Sequence, residues 1–297
     1  MRPAEEGFLL LSSQLGNPLR KPLSAAQLRT LAQRMAAAGR EDPDRALTAE
    51  DQKALGYGGE TAGHILELLE EDAMLRWYLH RADQAGCVPL TRISAQYPAA
   101  VRQRLGLDSP GCLWAKGNLS LLDTPMIALV GSRDLAPENA AFAADVGRQA
   151  ALQGITLVSG NARGADRTAQ KACLDAGGSV ISVVADELTA RKEQEHLLYL
   201  SEEDFDAPFS TPRALSRNRV IHALGAMTFA AQCSYQTGGT WDGSVKNLRF
   251  GWSPLFCFDD GSEATEMLCQ MGAQKVRMGQ LNDFAGLQKS QLSLFDQ

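Results

Sequence analysis

MIALVGSRDLAPENAAFAADVGRQAALQGITLVSGNARGADRTAQKACLDAGGSVISVVAD, residues 126–186, contains two strand-glycine-helix units in immediate succession. Each apolar run, Ile127 to Val130 and Ile155 to Val158, stops at a small polar turn, Gly131-Ser132-Arg133 or Ser159-Gly160. A helical pattern follows each turn. Strands that alternate with helices pair in parallel and are covered on both faces, so the fold class is α/β. A helix start presents unpaired N–H groups and the positive end of the macrodipole, which favours a bound phosphate.

Working outward, the periodicity predicts strands near 126–130, 155–159, 179–184, 197–200, 226–231 and 254–258. It predicts helices at about 136–153, 164–177, 213–224 and 238–248, with a final αβ pair at 262–277. Residues 1–95 have a helical texture instead. Ser24 with Gln27 and Thr48 with Asp51 are helix-start signals, and Ile65, Leu68, Leu75 and Tyr78 form an apolar stripe over 60–85. The Gly56-Tyr57-Gly58-Gly59 cluster before that stripe reads as a turn. The expected organisation is a helical domain over 1–95, an α/β domain over 96–278 and a flexible polar tail over 279–297.

Composition limits the function classes. The chain has 297 residues and 44% hydrophobic content, enough for one substantial core. No apolar run reaches the length of a membrane span, and the acidic N-terminus lacks a signal-peptide pattern, so a cytoplasmic protein without a membrane partner is expected. The six cysteines include no C-x-x-C pair, which suggests neither a zinc site nor a disulfide framework. The turns do not follow G-x-G-x-x-G, which disfavours a redox dinucleotide. No metal or cofactor is expected. A formal charge of −6 argues against coating of nucleic acid by the whole surface, while leaving room for one basic cleft.

Four motifs are candidates for a phosphate site. Gly131, Ser132 and Arg133 combine a close-approach glycine with a guanidinium; the bland alternative is a surface bridge by Arg133. Ser159, Gly160, Arg163, Gly164 and Asp166 form a richer loop, in which Asp166 either complements the helix dipole or holds a ribose hydroxyl, a base edge or Arg163. Arg213, Arg217 and Arg219 open a predicted helix with Asn218 among them; arginines there oppose the macrodipole, so a bound polyanion explains them better than helix preference does. Their alternative is a solvated face paired with Glu202, Glu203 and Asp204. The turn Gly238-Gly239-Thr240 adds backbone donors along the same sheet edge and is weak alone.

In order and spacing these motifs resemble the DprA/Smf family of DNA-processing proteins. The resemblance runs from about Tyr97 to Gly272. It includes Tyr97-Pro98, Pro110-x-x-Leu113-Trp114-x-Lys116-Gly117-Asn118, Val130-Gly131-Ser132-Arg133, Ser159-Gly160-x-Ala162-x-Gly164-x-Asp166 and Arg217-Asn218-Arg219-x-Ile221. It implies an extended Rossmann-like domain that binds single-stranded DNA without turnover chemistry, forms a homodimer and helps place the RecA recombinase. Arg133, Ser159, Gly160, Gly164, Asp166, Arg217, Asn218 and Arg219 would then form or brace the groove, with Arg163 and Lys116 as candidates by charge. Gln170 stands where the family usually has histidine.

Two further readings complete the sequence picture. Gln291-Leu292-Ser293-Leu294-Phe295 resembles the peptide by which bacterial replication and repair proteins dock on the β sliding clamp, with Leu292, Leu294 and Phe295 as apolar anchors. As alternatives to DNA binding, the same sheet suits a sensor of nucleotide-derived ligands or a nucleoside-monophosphate phosphoribohydrolase. The latter would need Asp242 as its carboxylate.

Overall fold

The computed structural model describes residues 1–39 and 48–287. Among these, nine strands form a single sheet, whose order from one edge is β1 (Cys87–Thr91), β2 (Cys112–Gly117), β6 (Leu197–Ser201), β5 (Val180–Val183), β4 (Thr156–Ser159), β3 (Met126–Val130), β7 (Thr228–Ala230), β8 (Leu255–Phe258) and β9 (Gln274–Val276). Strands β3 to β9 are all parallel to one another, with β9 at the edge opposite β1. From β3 the chain steps outward through β4, β5 and β6, then returns to the other side of β3 with β7. The order therefore reverses between β3 and β7, where an open parallel sheet leaves a crevice at its carboxyl edge.

The strands alternate their burial between two helical layers. Ile127 and Leu129 pack with Phe142, Val146 and Ala169 of α7 (Pro137–Leu152) and α8 (Ala165–Asp175). Ala128 and Val130 face the other way, toward Val220 and Ile221 of α10 (Asn218–Leu224), and all of these side chains are buried. That second layer also holds α6 (Ala99–Leu105), α11 (Gly238–Phe250) and α12 (Glu263–Gln270), and the short α9 (Thr211–Ser216), without buried residues, leads into α10. The expected α/β class and Rossmann-like plan are what the chain adopts.

The sequence reading missed two strands. β1 (Cys87–Thr91) and β2 (Cys112–Gly117) form an antiparallel pair, and β2 joins β6 in antiparallel register, extending the sheet at one edge. Pro89 lies within β1, and proline is tolerated there because this is the edge strand. The Tyr97 hydroxyl donates to the Pro110 carbonyl at 2.8 Å, which ties the segment between the two strands together. Gln170, in the usual histidine position, donates from Nε2 to the Ser182 hydroxyl at 3.3 Å.

The N-terminal helices are α1 (Pro3–Ser12), α2 (Ala25–Ala37), α3 (Ala49–Ala54), α4 (Gly59–Leu69) and α5 (Asp72–Gln84). Leu9, Leu10, Leu75 and Tyr78 share one buried cluster with Trp114 of β2, Val184 and Phe205. The Tyr78 ring meets Trp114 edge-on at 5.6 Å and Phe205 at 4.8 Å. Its hydroxyl donates to Asp206 at 2.8 Å, so the helices are anchored to the antiparallel edge by both apolar and polar contacts. None of the described helices is long and apolar enough to cross a membrane.

Candidate nucleic-acid interface

Three loops at the carboxyl edge are stitched together by their backbones. The Ser132 N–H donates to the Gln232 carbonyl at 2.9 Å, and the Ser132 carbonyl accepts the Ala165 N–H at 3.1 Å. Gly131-Ser132-Arg133 does not lead straight into a helix as the sequence suggested. Five residues of loop separate Gly131 from Pro137, and the Ala136 N–H is taken by the Gln232 side chain at 2.9 Å. The helix start after Gly131 thus lies away from the turn.

Asp166 and Arg217 build the floor. Arg217 sits between α9 and α10, where a single helix was expected, and only 6% of its surface is exposed. Its guanidinium donates to the Gly160 carbonyl at 3.1 Å and to Asn218 Oδ1 at 3.0 Å, and lies 3.7 Å from the Asp166 carboxylate. Asp166 in turn accepts the Ala162 N–H at 3.1 Å. Burial pushes the Asp166 carboxyl above the ordinary carboxylate range and pulls Arg217 below the usual guanidinium value; their mutual attraction opposes both shifts. Asp166 therefore pairs with Arg217, and Arg163 turns instead to Asp134 at 2.7 Å on the exposed surface.

The glycines of this loop are required by close approach. A Cβ on Gly160 would fall about 2 Å from the Arg217 guanidinium, and one on Gly164, at φ +85°, would strike the Ser132 and Arg133 carbonyls. Asn218 extends the network by donating to the Gly239 carbonyl at 3.0 Å, which brings the fourth motif to the same edge.

The other predicted cations divide. Arg219 leaves the cleft, bonding to the Asp108 carbonyl and pairing with Glu202 at 2.6 Å. Arg213 pairs with Glu203 at 3.6 Å. For these two arginines the acidic partners weighed from sequence are the ones found. Lys116 is buried on β2, with its ammonium donating to the Thr189 carbonyl at 3.2 Å. Arg133 stays exposed at the cleft, without a hydrogen bond or ion pair among the described residues.

Two adjoining cavities result. The first, of about 480 Å³, lies at the β3/β7 crevice between the Gly131 turn, Asn218 and the Thr237–Thr240 segment. The second, of about 300 Å³, is lined by Arg133, Arg163, Arg167, Arg191 and Arg217, with Phe209 at its side. Arg167, Arg191 and Phe209 were not singled out from sequence. Arg167 follows Asp166 directly and could have been noticed as a neighbour; Arg191 lies in the irregular segment after β5 and Phe209 in the one after β6, and neither segment carries a periodic signal. Phe209 is 56% exposed and makes no ring contact among the described residues. Asp242 is paired with Lys246 at 2.7 Å and lines neither cavity.

A model of the DNA recombination-mediator protein A family matches residues 89–283. The chain belongs to this family, DprA/Smf. DprA of Streptococcus pneumoniae is 31% identical over 193 residues, spanning 58% of this chain and 66% of the relative. Smf of Escherichia coli is 29% identical over 145 residues, spanning 44% and 38%. The alignments therefore span less than two thirds of either relative's own length. The crystal structure of pneumococcal DprA superposes with a TM-score of 0.73 over 95% of this chain and 97% of that one, at 23% identity, which establishes the shared fold. DprA of Helicobacter pylori, described for its single-stranded DNA binding mode, superposes with a TM-score of 0.56 at 25% identity, over 70% and 96% of the two chains.

Proposed function

We propose that the protein binds single-stranded DNA across the carboxyl edge of its sheet and acts by binding, without turnover. The observation that carries this reading is the local reversal of charge. In a chain of net charge −6, five arginines line one small cavity beside the topological switch point, against a single lining carboxylate, Asp186, which pairs with Arg191 at 2.5 Å. Arg133, Arg163, Arg167 and Arg191 would hold the phosphates, and Arg217, held by Asp166 and Gly160, would set the floor beneath them. Phe209 offers a free ring face on which one base can stack, which is how sequence-tolerant strand binding is built. The solved strand-binding relative from H. pylori and the family membership support the same reading.

Four phosphate contacts on a single strand predict a steep salt dependence. Affinity for a labelled oligonucleotide should fall about fifty-fold between about 50 mM and about 200 mM salt. Arg133→Ala should lower affinity for all sequences alike, by about five- to tenfold, and make the salt slope shallower by about 0.7. Fluorescence anisotropy against a duplex of equal length tests this. Binding by Arg133→Ala as tight as the parent's at moderate salt would show that the groove is misassigned.

The finer assignments belong to the same proposal. The protein is read as a cytoplasmic homodimer that assists RecA placement on the strand. Residues 291–295 lie outside the described residues, and their reading as a clamp-docking peptide rests on sequence. Deleting Gln291–Gln297 should abolish binding to the sliding clamp while leaving strand binding intact; retained clamp binding would end that part of the proposal.

A further inference from the structure

The larger cavity differs chemically from the arginine pocket beside it. It takes in the start of α11, a 13-residue helix whose N-cap residue, Thr237, makes no side-chain cap hydrogen bond. The N–H groups of Gly238, Gly239 and Thr240 have no acceptor among the described residues. The Gly239 carbonyl is held by Asn218 at 3.0 Å, and the N–H of Thr240 in the same planar peptide points the opposite way, out of the helix start. Arg133 lines the same cavity with its guanidinium unpaired. Arg217, 6% exposed, lines it too, and its Nε hydrogen finds no partner. Ser234, Thr237 and Thr240 contribute hydroxyls that make no side-chain hydrogen bond among the described residues. The cavity is therefore rich in donors, and the one carboxylate on its wall, Asp166, is already committed to Arg217 and Ala162.

We propose that this cavity is a site for a terminal phosphate monoester, adjoining the arginine pocket that would hold the phosphodiester backbone and sharing Arg133 and Arg217 with it. A monoester carries nearly two negative charges and three acceptor oxygens, which match three unpartnered N–H groups at one helix start and a guanidinium better than a singly charged diester does. The monoester can come from the phosphorylated end of a strand or from a free nucleoside monophosphate. For the strand-end source, the inference rests on the strand-binding reading above. It adds that the protein distinguishes strand ends by their phosphorylation.

The test compares one oligonucleotide bearing a 5′-phosphate, a 3′-phosphate or neither, with dAMP and inorganic phosphate as free probes in anisotropy competition and thermal shift. One phosphorylated end should bind about tenfold more tightly than the hydroxyl-ended strand. If dAMP binds saturably at one site and competes as well as that end does, the free nucleotide is the occupant. The decisive variant is Thr237→Asp, which caps α11 with its own carboxylate and puts negative charge where the phosphate would sit. Its melting temperature should stay unchanged or rise, because aspartate is a better N-cap than threonine, yet the preference for the phosphate should disappear. Thr237→Asn, an uncharged cap, should weaken the preference less.

Equal affinity for all three strands and no response to dAMP, with strand binding intact, would overturn this inference and leave the strand-binding reading standing. A phosphate preference that survives unchanged in Thr237→Asp would overturn it as well. Saturable dAMP binding without any oligonucleotide binding would do the opposite, upholding the monoester site and ending the strand-binding reading.

Discussion

The helix starts at Ala165 and Gly238 both contain or adjoin glycines and both border one cleft, yet their backbones are satisfied in different ways. At Ala165 the turn is closed on itself. Its N–H groups meet the Ser132 carbonyl and the Asp166 carboxylate, and a buried guanidinium neutralises that carboxylate. At Gly238 the turn is open, with three N–H groups unanswered and a threonine that does not cap. The loop with the richer motif is thus a brace, and the plainer one has the vacant donors. A polar residue inside a motif can serve the motif's own backbone, and once it does so, it is no longer available to a ligand.

This contrast can be broken at several points. The largest effect should come from Arg217→Ala, which leaves the Asp166 carboxylate buried without its cation. A loss of about 3–5 kcal/mol in urea denaturation is expected, and a loss below about 1 kcal/mol would mean that the Ala165 turn is not held closed by this pair. Phe209→Ala should weaken oligonucleotide binding by about 1–3 kcal/mol with an unchanged salt slope, because stacking releases no counterions. A change in slope instead would indicate that the ring acts through the neighbouring arginines.

A third prediction concerns the support beneath the open turn. His222 of α10 is fully buried, and a Cβ on Gly243 of α11 would lie 3.3 Å from its Nε2. Burial and the nearby Arg217 pull its pKa down to about 3 from 6.5. Between those values the unfolded chain binds a proton that the native ring refuses. The stabilisation is therefore complete above about pH 6.5 and is lost as pH falls toward 3, at about 1.4 kcal/mol per pH unit. His222→Leu should remove this slope, as read from urea denaturation at successive pH values; an identical pH profile in both proteins would show that the ring is not held neutral. The smallest effect should be that of Arg163→Ala. Its pair with Asp134 is exposed on both sides, so stability should change by less than about 1 kcal/mol while strand affinity still drops.

Much of the fold is legible along the chain because it depends on local repetition. The six strand runs and the helices between them follow from apolar period and glycine punctuation, and the α11 and α12 patterns land within a few residues of their places. The edge pair was not legible for equally local reasons. β1 contains Pro89 and β2 contains Lys116, and neither run alternates cleanly. Their pairing depends on β6, some eighty residues further along. Residue types at the site were also visible in the sequence. Gly131, Arg133, Gly160, Asp166, Arg217, Asn218 and Gly239 all come to one edge, as parallel strands require of the loops that follow them.

The assignment of each charge was a different matter. Arg217 and Arg219 are two residues apart on one motif, yet the first turns inward to Asp166 and the second crosses to Glu202 on the far side. Period and punctuation arise from each residue's own shape and polarity, so a linear reading recovers them. The fate of a guanidinium depends on which carbonyls and carboxylates the packed chain places within about 3 Å of it, and those come from segments distant in sequence.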